Sequence, residues 1–400
     1  MSNVTVPFFR PSFSDDEKKA VCSCIDSGWL TTGKITHDFE DKFKRFIGCK
    51  YALAVNSNTS GMILALEACG VKNGNAVITT PYTFVSTASS AVHLGADVFF
   101  ADTEKDSYSI NPDDVEKILK NDREHKIKAI IPVHIAGNLC NMKKICALAE
   151  KYSTADNKIF VIEDCAHSFP SKINDGYAGT LGDVGVFSFY ATKTMTTGEG
   201  GMVTTNISFL AERMSCMRLH GMNRDAWDRY TSPKASWQYD IVAPGFKFNL
   251  PDVLSAIGIV QLEKAELFAE KRKKIVSIYN NAFKDMDFLT LPPDSPGNAW
   301  HLYLLRLNLD KIDCSRDIFA KELQDEGIGI SMHFIPIYHF SFWKEKYPLL
   351  SPEDFCNAEN HFQRTISIPL WPDMSVEMAE TVIQTVKKIG MKHYASKKKN

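Results

Sequence analysis

A chain of 400 residues with 44% hydrophobic residues can bury a large core, and its formal net charge of -2, with a pI of about 6.6, leaves no sequence-wide basic field to hold nucleic acid or anionic lipid. A small-molecule substrate is expected, with no nucleic acid or membrane as partner. No stretch approaches the ~20 apolar residues of a membrane span, the polar N-terminus lacks the core of a signal peptide, and the ten cysteines show no Cys-x-x-Cys spacing. A cytoplasmic protein with reduced thiols and no metal is expected.

Near the N-terminus, GWLTTGKI (Gly28 to Ile35) carries the glycines and lysine of a phosphate-binding loop, but Ile35 stands where a Ser or Thr must hold magnesium. A helix-like segment precedes it, so it reads as a turn between two N-terminal helices. From about residue 50 to about 205, the runs YALAV, AVITT, DVFFA, KAIIPVHI, IFVIED, VGVFSF and GGMVTT alternate with amphipathic segments of helix length. Strands apolar on both faces, alternating with helices, predict a mainly parallel sheet covered on each side, with ligands bound at the strands' carboxyl ends. GEGGM (Gly198 to Met202) fails the dinucleotide fingerprint, because Val203 replaces its third glycine, and it leads into a strand. Around QLEKAELFAEKRKKIVSIYNNAF one long charged helix is expected, followed by Pro-rich LPPDSPG and the strand HLYLLRLNL. The helix RDIFAKELQDEG and strands near GISMHF and ISIPL then suggest a smaller α+β domain. The division reads as a large domain over 1–255, including an N-terminal arm, and a smaller one over 256–400.

Chemistry gathers at three strand ends. IFVIEDCAHS closes a strand with Glu163 and Asp164, and His167 follows one helical turn later; alone, Asp164 could equally cap the next helix. The next strand ends with Ser188, Phe189 and Tyr190 ahead of Lys193, and TTGEGG lets the backbone turn tightly after it. A lysine in a desolvated cleft can shed its proton and act as an amine nucleophile. Together, Asp164 and Lys193 suit pyridoxal phosphate, which needs an amine for its aldehyde and an anion beside its ring nitrogen. NSNTSGMILALEA opens a helix whose first turn carries Thr59, Ser60 and Gly61, a ready site for the phosphate, although an ordinary helix cap explains that segment as well. Phe84, at the start of the helix after the next strand, could stack on the ring or belong to the core.

These residues lie within SGWLTTG, NSNTSG, PYTFVSTA, PVHIAG, VIEDCAHS, FSFYATKTMTTGEGGM, MRLHGM, PGFKFNLPDVLSAIGIVQL and GIGISMHFIPIY. In that combination the chain resembles the DegT/DnrJ/EryC1/StrS sugar aminotransferases over nearly its whole length. The resemblance implies a PLP-dependent transferase of fold type I, aspartate-aminotransferase-like, pyridoxal 5'-phosphate as cofactor and a homodimer with shared active sites. It makes Lys193 the Schiff-base lysine and the catalytic residue, pairs Asp164 with the pyridine nitrogen, stacks Phe84 on the ring, gives the phosphate to Thr59, Ser60 and Ser188, and sets His167 beside the cofactor. A further phosphate ligand would come from the other subunit through Gly245-Phe246-Lys247, where Lys247 replaces the common Asn.

Lys193 argues against the family's dehydratases, which carry His there. His167, where relatives acting at carbon 3 tend to have Gln, implies transfer to a 4-keto sugar linked to a nucleotide, with glutamate as donor, in surface polysaccharide biosynthesis. The run AWDRY with APGFKFNLPD looks most like enzymes of UDP-linked 4-keto pentoses or 6-deoxyhexoses. Trp29, Leu30, Thr31, His333, Phe334 and Tyr338 would bind the substrate. The alternatives are a 3-keto sugar aminotransferase, a cysteine desulfurase, for which Cys165 has no matching motif, and a non-catalytic sensor, which would not need Lys193.

Overall fold

The computed structural model describes residues 5–174, 176–223 and 239–397. Two N-terminal helices, α1 (Asp15–Asp26) and α2 (Lys34–Ile47), precede the sheet. All seven apolar runs form strands of one sheet: β1 (Tyr51–Val55), β2 (Ala76–Thr79), β3 (Asp97–Phe100), β4 (Ile127–Ile130), β5 (Phe160–Asp164) and, after the small hairpin β6 (Lys172–Ile173) and β7 (Gly176–Tyr177), β8 (Val184–Ser188) and β9 (Gly201–Thr205). The order is β1-β9-β8-β5-β4-β2-β3. Only β9 runs against its neighbours, so the carboxyl ends of β1, β5 and β8 share one rim with the start of β9.

Close approach at that rim depends on glycine. A Cβ on Gly201 would lie 2.6 Å from the Phe187 carbonyl oxygen and 2.9 Å from the carbonyl carbon of Ser57. A hydrogen at this position lets the turn into helix α3 (Asn58–Ala68) settle onto β9. Beneath the rim, Phe39, Phe43, Phe169, Phe187 and Phe189 pack in a buried aromatic cluster that joins α2 to the sheet.

The single long helix expected after the sheet is two helices, Asp252–Glu263 and Ala265–Phe283, meeting at Lys264. The first packs on α1 and α2, and residue 255 lies inside it. The second enters a separate core with Tyr303, Phe319, Ile366 and Val386, around a sheet of Leu289–Thr290, Tyr303–Leu307 and Thr365–Ile368. Val6 of the N-terminal arm belongs to this second core and bridges Ile328. GISMHF is not a strand: Ser331 alone pairs, with Ser367, because the chain then turns so that His333 can accept a hydrogen bond from Tyr82 on its carbonyl. Among the described residues no helix is long and apolar enough to cross a membrane.

The phosphate-loop look-alike has a physical explanation. Gly33 is the N-cap of α2 and offers no side-chain cap. Asp252 fills that end instead, its carboxylate accepting from the amides of Gly33 (2.7 Å) and Thr36 (2.9 Å) and from the Thr36 hydroxyl (2.6 Å). A buried carboxylate therefore occupies the place an anion would take. Asp252→Ala should lower stability by about 2 kcal/mol and Asp252→Asn by less, measured by denaturant unfolding; an unchanged midpoint in the alanine variant would count against the cap.

Candidate active site

A cavity of about 600 Å³ opens over the rim, lined by residues from β5, β8, the N-terminus of α3 and the segments around His301 and His333. Asp164, the last residue of β5, is 3% exposed. Its carboxylate accepts from the Thr87 hydroxyl (2.7 Å), the Ala166 amide (3.1 Å) and the Asn58 side-chain amide (3.3 Å). Burial nevertheless pushes its carboxyl above the ordinary range, against those hydrogen bonds and the charge of Lys193. A cation brought beside it would favour the ionised form.

Lys193 follows β8 on a pinned loop. Its amide donates to Tyr190 (2.9 Å), and the neighbouring Thr194 hydroxyl donates to the Phe169 carbonyl. The side chain keeps some surface open to the cavity but is enclosed by protein, and this desolvation lowers its amine to about 8, opposed by the negative charge of Asp164. Such an amine carries a substantial neutral, nucleophilic fraction near pH 8, where an ordinary lysine is almost wholly protonated.

The strand end itself is fastened from below. Glu163 accepts from the amides of Gly179, Leu181 and Gly182 and lies 2.9 Å from His134 Nε2. His134 Nδ1 accepts from the Cys140 amide. With Cys165, these two residues form a buried group of metal-ligand types, but these hydrogen bonds already engage the Glu163 carboxylate and both ring nitrogens of His134. Burial pushes the Cys165 thiol up to about 12, so it remains protonated and unsuited to the nucleophilic sulfur of a desulfurase.

At the phosphate end, Ser57 is the N-cap of α3 and its hydroxyl accepts from the Ser60 amide. Ser57, Asn58 and Thr59 line the cavity. Ser60 does not: its hydroxyl lies 2.9 Å from that of Ser57 and is buried beneath the cap. Ser188, His167 and Phe84 line the cavity, Phe84 being 60% exposed at its mouth. His333 and Phe334 form the opposite wall. Tyr338 is buried, stacks on Phe355 and donates to Glu359 (2.9 Å), outside the residues lining the cavity.

Lys247, Trp29, Leu30 and Thr31 are absent from the cavity of their own chain. They share a neighbourhood elsewhere: Asn249 accepts from Lys247 Nζ (2.6 Å) and donates to Thr32 (2.6 Å). Sequence reading passed over Ser57, Asn58, Thr87 and His301. The first three sit within quoted motifs and were findable as polar neighbours of strand ends. His301 lies two residues ahead of the strand Tyr303–Leu307 and carries no motif.

The cavity fits pyridoxal phosphate in its donor set: a helix N-terminus for a phosphate, a buried carboxylate with an unmet preference for a cation, and a desolvated amine. A profile of the DegT/DnrJ/EryC1/StrS aminotransferase family matches residues 11–387. The chain belongs to that family. It is a PLP-dependent sugar aminotransferase. The spore coat polysaccharide biosynthesis protein SpsC of Bacillus subtilis is 38% identical over 390 residues, 97% of each chain. A Streptococcus pneumoniae protein designated a sugar aminotransferase, solved in PMP and PLP forms, superposes in its PMP form with a TM-score of 0.89 at 27% identity, covering 97% of this chain and all of the other. PseC of Helicobacter pylori, an aminotransferase involved in the biosynthesis of pseudoaminic acid, gives 0.87 at 28%, covering 97% and 99%.

In cofactor-free protein, Lys193 should be acetylated with a pH midpoint of about 8, its reactive neutral fraction rising through that pH, whereas exposed lysines should follow a midpoint of ~10.4. Competitive labelling with peptide mapping measures both, and a Lys193 midpoint like that of the surface lysines would contradict the desolvated site.

Proposed function

We propose that this enzyme transfers an amino group from glutamate to carbon 4 of a keto sugar carried by a nucleotide, for the synthesis of a surface polysaccharide or related glycan. The observation that carries the reading is the pairing of Asp164 and Lys193 in one cavity with His167 beside them. His167, rather than Gln, favours carbon 4 over carbon 3. The names of the Bacillus and Helicobacter relatives agree with a role in surface-sugar synthesis. The AWDRY run that suggested a UDP-linked substrate, residues 226–230, lies outside the described residues.

Pyridoxal phosphate, when bound, supplies an aldehyde that takes up the donor's nitrogen and a ring that withdraws electrons from the carbon being deprotonated. Asp164 would hold the ring nitrogen's proton, Ser57, Thr59 and Ser188 would hold the phosphate with the first amides of α3, and Phe84 would cover one face. Lys193 Nζ would remove a proton from one carbon attached to the transferred nitrogen and deliver it to the carbon on that nitrogen's other side, a 1,3-transfer. Incubation with glutamate and a panel of UDP-, dTDP- and GDP-linked 3-keto and 4-keto sugars tests this. Amination of a 4-keto member is expected; turnover confined to 3-keto members, or none at all, would overturn it.

The proposal includes a homodimer in which Lys247 and the turn at Trp29, Leu30 and Thr31 complete the partner's cavity. Their shared surface outside their own cavity supports this, as does the exposure of Leu30, Tyr190, Ile241 and Val242. After Lys247→Ala alone is shown to impair turnover, it is mixed with Lys193→Ala. One site of each mixed dimer then collects both lesions and the other none, so about half of wild-type activity per mixed dimer should return. No rescue in mixed dimers verified by mass would place Lys247 in its own chain's site or outside either site.

A further inference from the structure

His301 faces the cavity from the wall opposite the strand ends. It is 3% exposed, and its Nδ1 has no hydrogen-bond partner among the described residues. An unpaired buried polar atom costs about 1–3 kcal/mol, and its retention calls for an explanation.

The backbone around it is held on both sides. Its amide donates to the Ala136 carbonyl (3.1 Å), and its carbonyl accepts from Arg272 (3.1 Å), which also donates to Leu370 (3.0 Å). The flanking Trp300 has φ +49°, and Ala136 has φ +59°, left-handed conformations that cost non-glycine residues on the order of 1–3 kcal/mol and persist only where the surroundings enforce them. Ala136 links two histidines, because its amide also donates to Nδ1 of His167 (3.4 Å). With Nδ1 an acceptor, a neutral His167 carries its proton on Nε2. The two rings lie 4.4 Å apart between centroids.

We propose that His301 is a substrate-binding residue that recognises a hydroxyl group of the keto sugar. This rests on the sugar aminotransferase reading above. A ring nitrogen of a neutral imidazole either donates to a hydroxyl or accepts from one, according to its tautomer, so His301 suits a hydroxyl in either form. A carboxylate of the amino donor would be held more strongly by a cation. Burial, followed by the nearby His167, Lys193, Arg272 and His333, keeps His301 well below the ordinary histidine range, so it cannot supply that charge near neutral pH.

The test uses holoenzyme fixed with borohydride, which binds without turning over, titrated calorimetrically with UDP and with a UDP-linked 4-keto-6-deoxyhexose. Wild type should bind the sugar nucleotide more tightly than UDP. His301→Ala should weaken the sugar nucleotide about tenfold and leave UDP unchanged, and His301→Gln, whose amide also donates and accepts, should recover part of the loss. In unreduced enzyme, the absorbance change with L-glutamate should stay within about twofold of wild type in both variants. Wild-type affinity for the sugar nucleotide in His301→Ala, or an equal loss with glutamate, would overturn the assignment. If wild type itself did not distinguish the sugar nucleotide from UDP, the keto-sugar reading would fail and this assignment with it.

Discussion

A carboxyl and an amine buried in the same cavity impose the main constraint on this protein. Asp164 is driven above its usual range by burial and Lys193 below its own; each opposes the other's shift, yet both remain displaced. Desolvation therefore outweighs their mutual attraction, as expected for ionisable groups removed from water. A cofactor with a cationic ring nitrogen and an aldehyde answers both groups at once.

Maintaining that constraint requires a rigid rim. Asp164 cannot swing away, because Thr87, Ala166 and Asn58 all donate to it and its main chain is tied to Pro132 and His134. Asn58 also donates to the Val186 carbonyl (2.9 Å), so the residue steadying the carboxylate is itself anchored to the next strand. Glu163 secures the layer below through three backbone amides and His134. The parts that meet the cofactor are thus positioned from several strands, whose spacing is set by core packing.

The strands and the paired Asp164 and Lys193 were legible because both depend on local signals, apolar runs and their terminal polar residues. Tertiary context decided the rest. The pattern across Lys264 stays amphipathic, so nothing local marks the break between two helices that serve different cores. Ser57, Thr59 and Ser60 are similar in sequence, but only cap geometry decides which hydroxyl turns inward. Tyr338 looks like a site aromatic until Phe355 and Glu359, distant in sequence, claim its ring and hydroxyl. His301 was invisible for the same reason: its importance lies in a partner it lacks and in strain at Trp300 and Ala136.

The charge balance of the cavity bears on the proposed dimer. Lys193 is the only lysine or arginine among the described residues lining it, alongside Asp164 and Glu199. Its three histidines are held below their ordinary range by burial and by neighbouring positive charge, His333 to about 3. Yet the proposed reaction brings in a cofactor phosphate, a nucleotide diphosphate and a dicarboxylate donor. Helix-terminus amides contribute only about 0.3 to 1 kcal/mol to binding an anion, and Lys193 is committed to proton transfer. In the proposed dimer, further positive charge would come from outside the single chain's cavity. Lys247 lies on an exposed surface beside the Trp29–Thr31 turn, and burial there already lowers its amine somewhat. Facing a partner's phosphate would reverse that shift, since a neighbouring anion favours the charged ammonium. The same charge that is slightly disfavoured on the isolated chain would then be stabilised only in the assembled site.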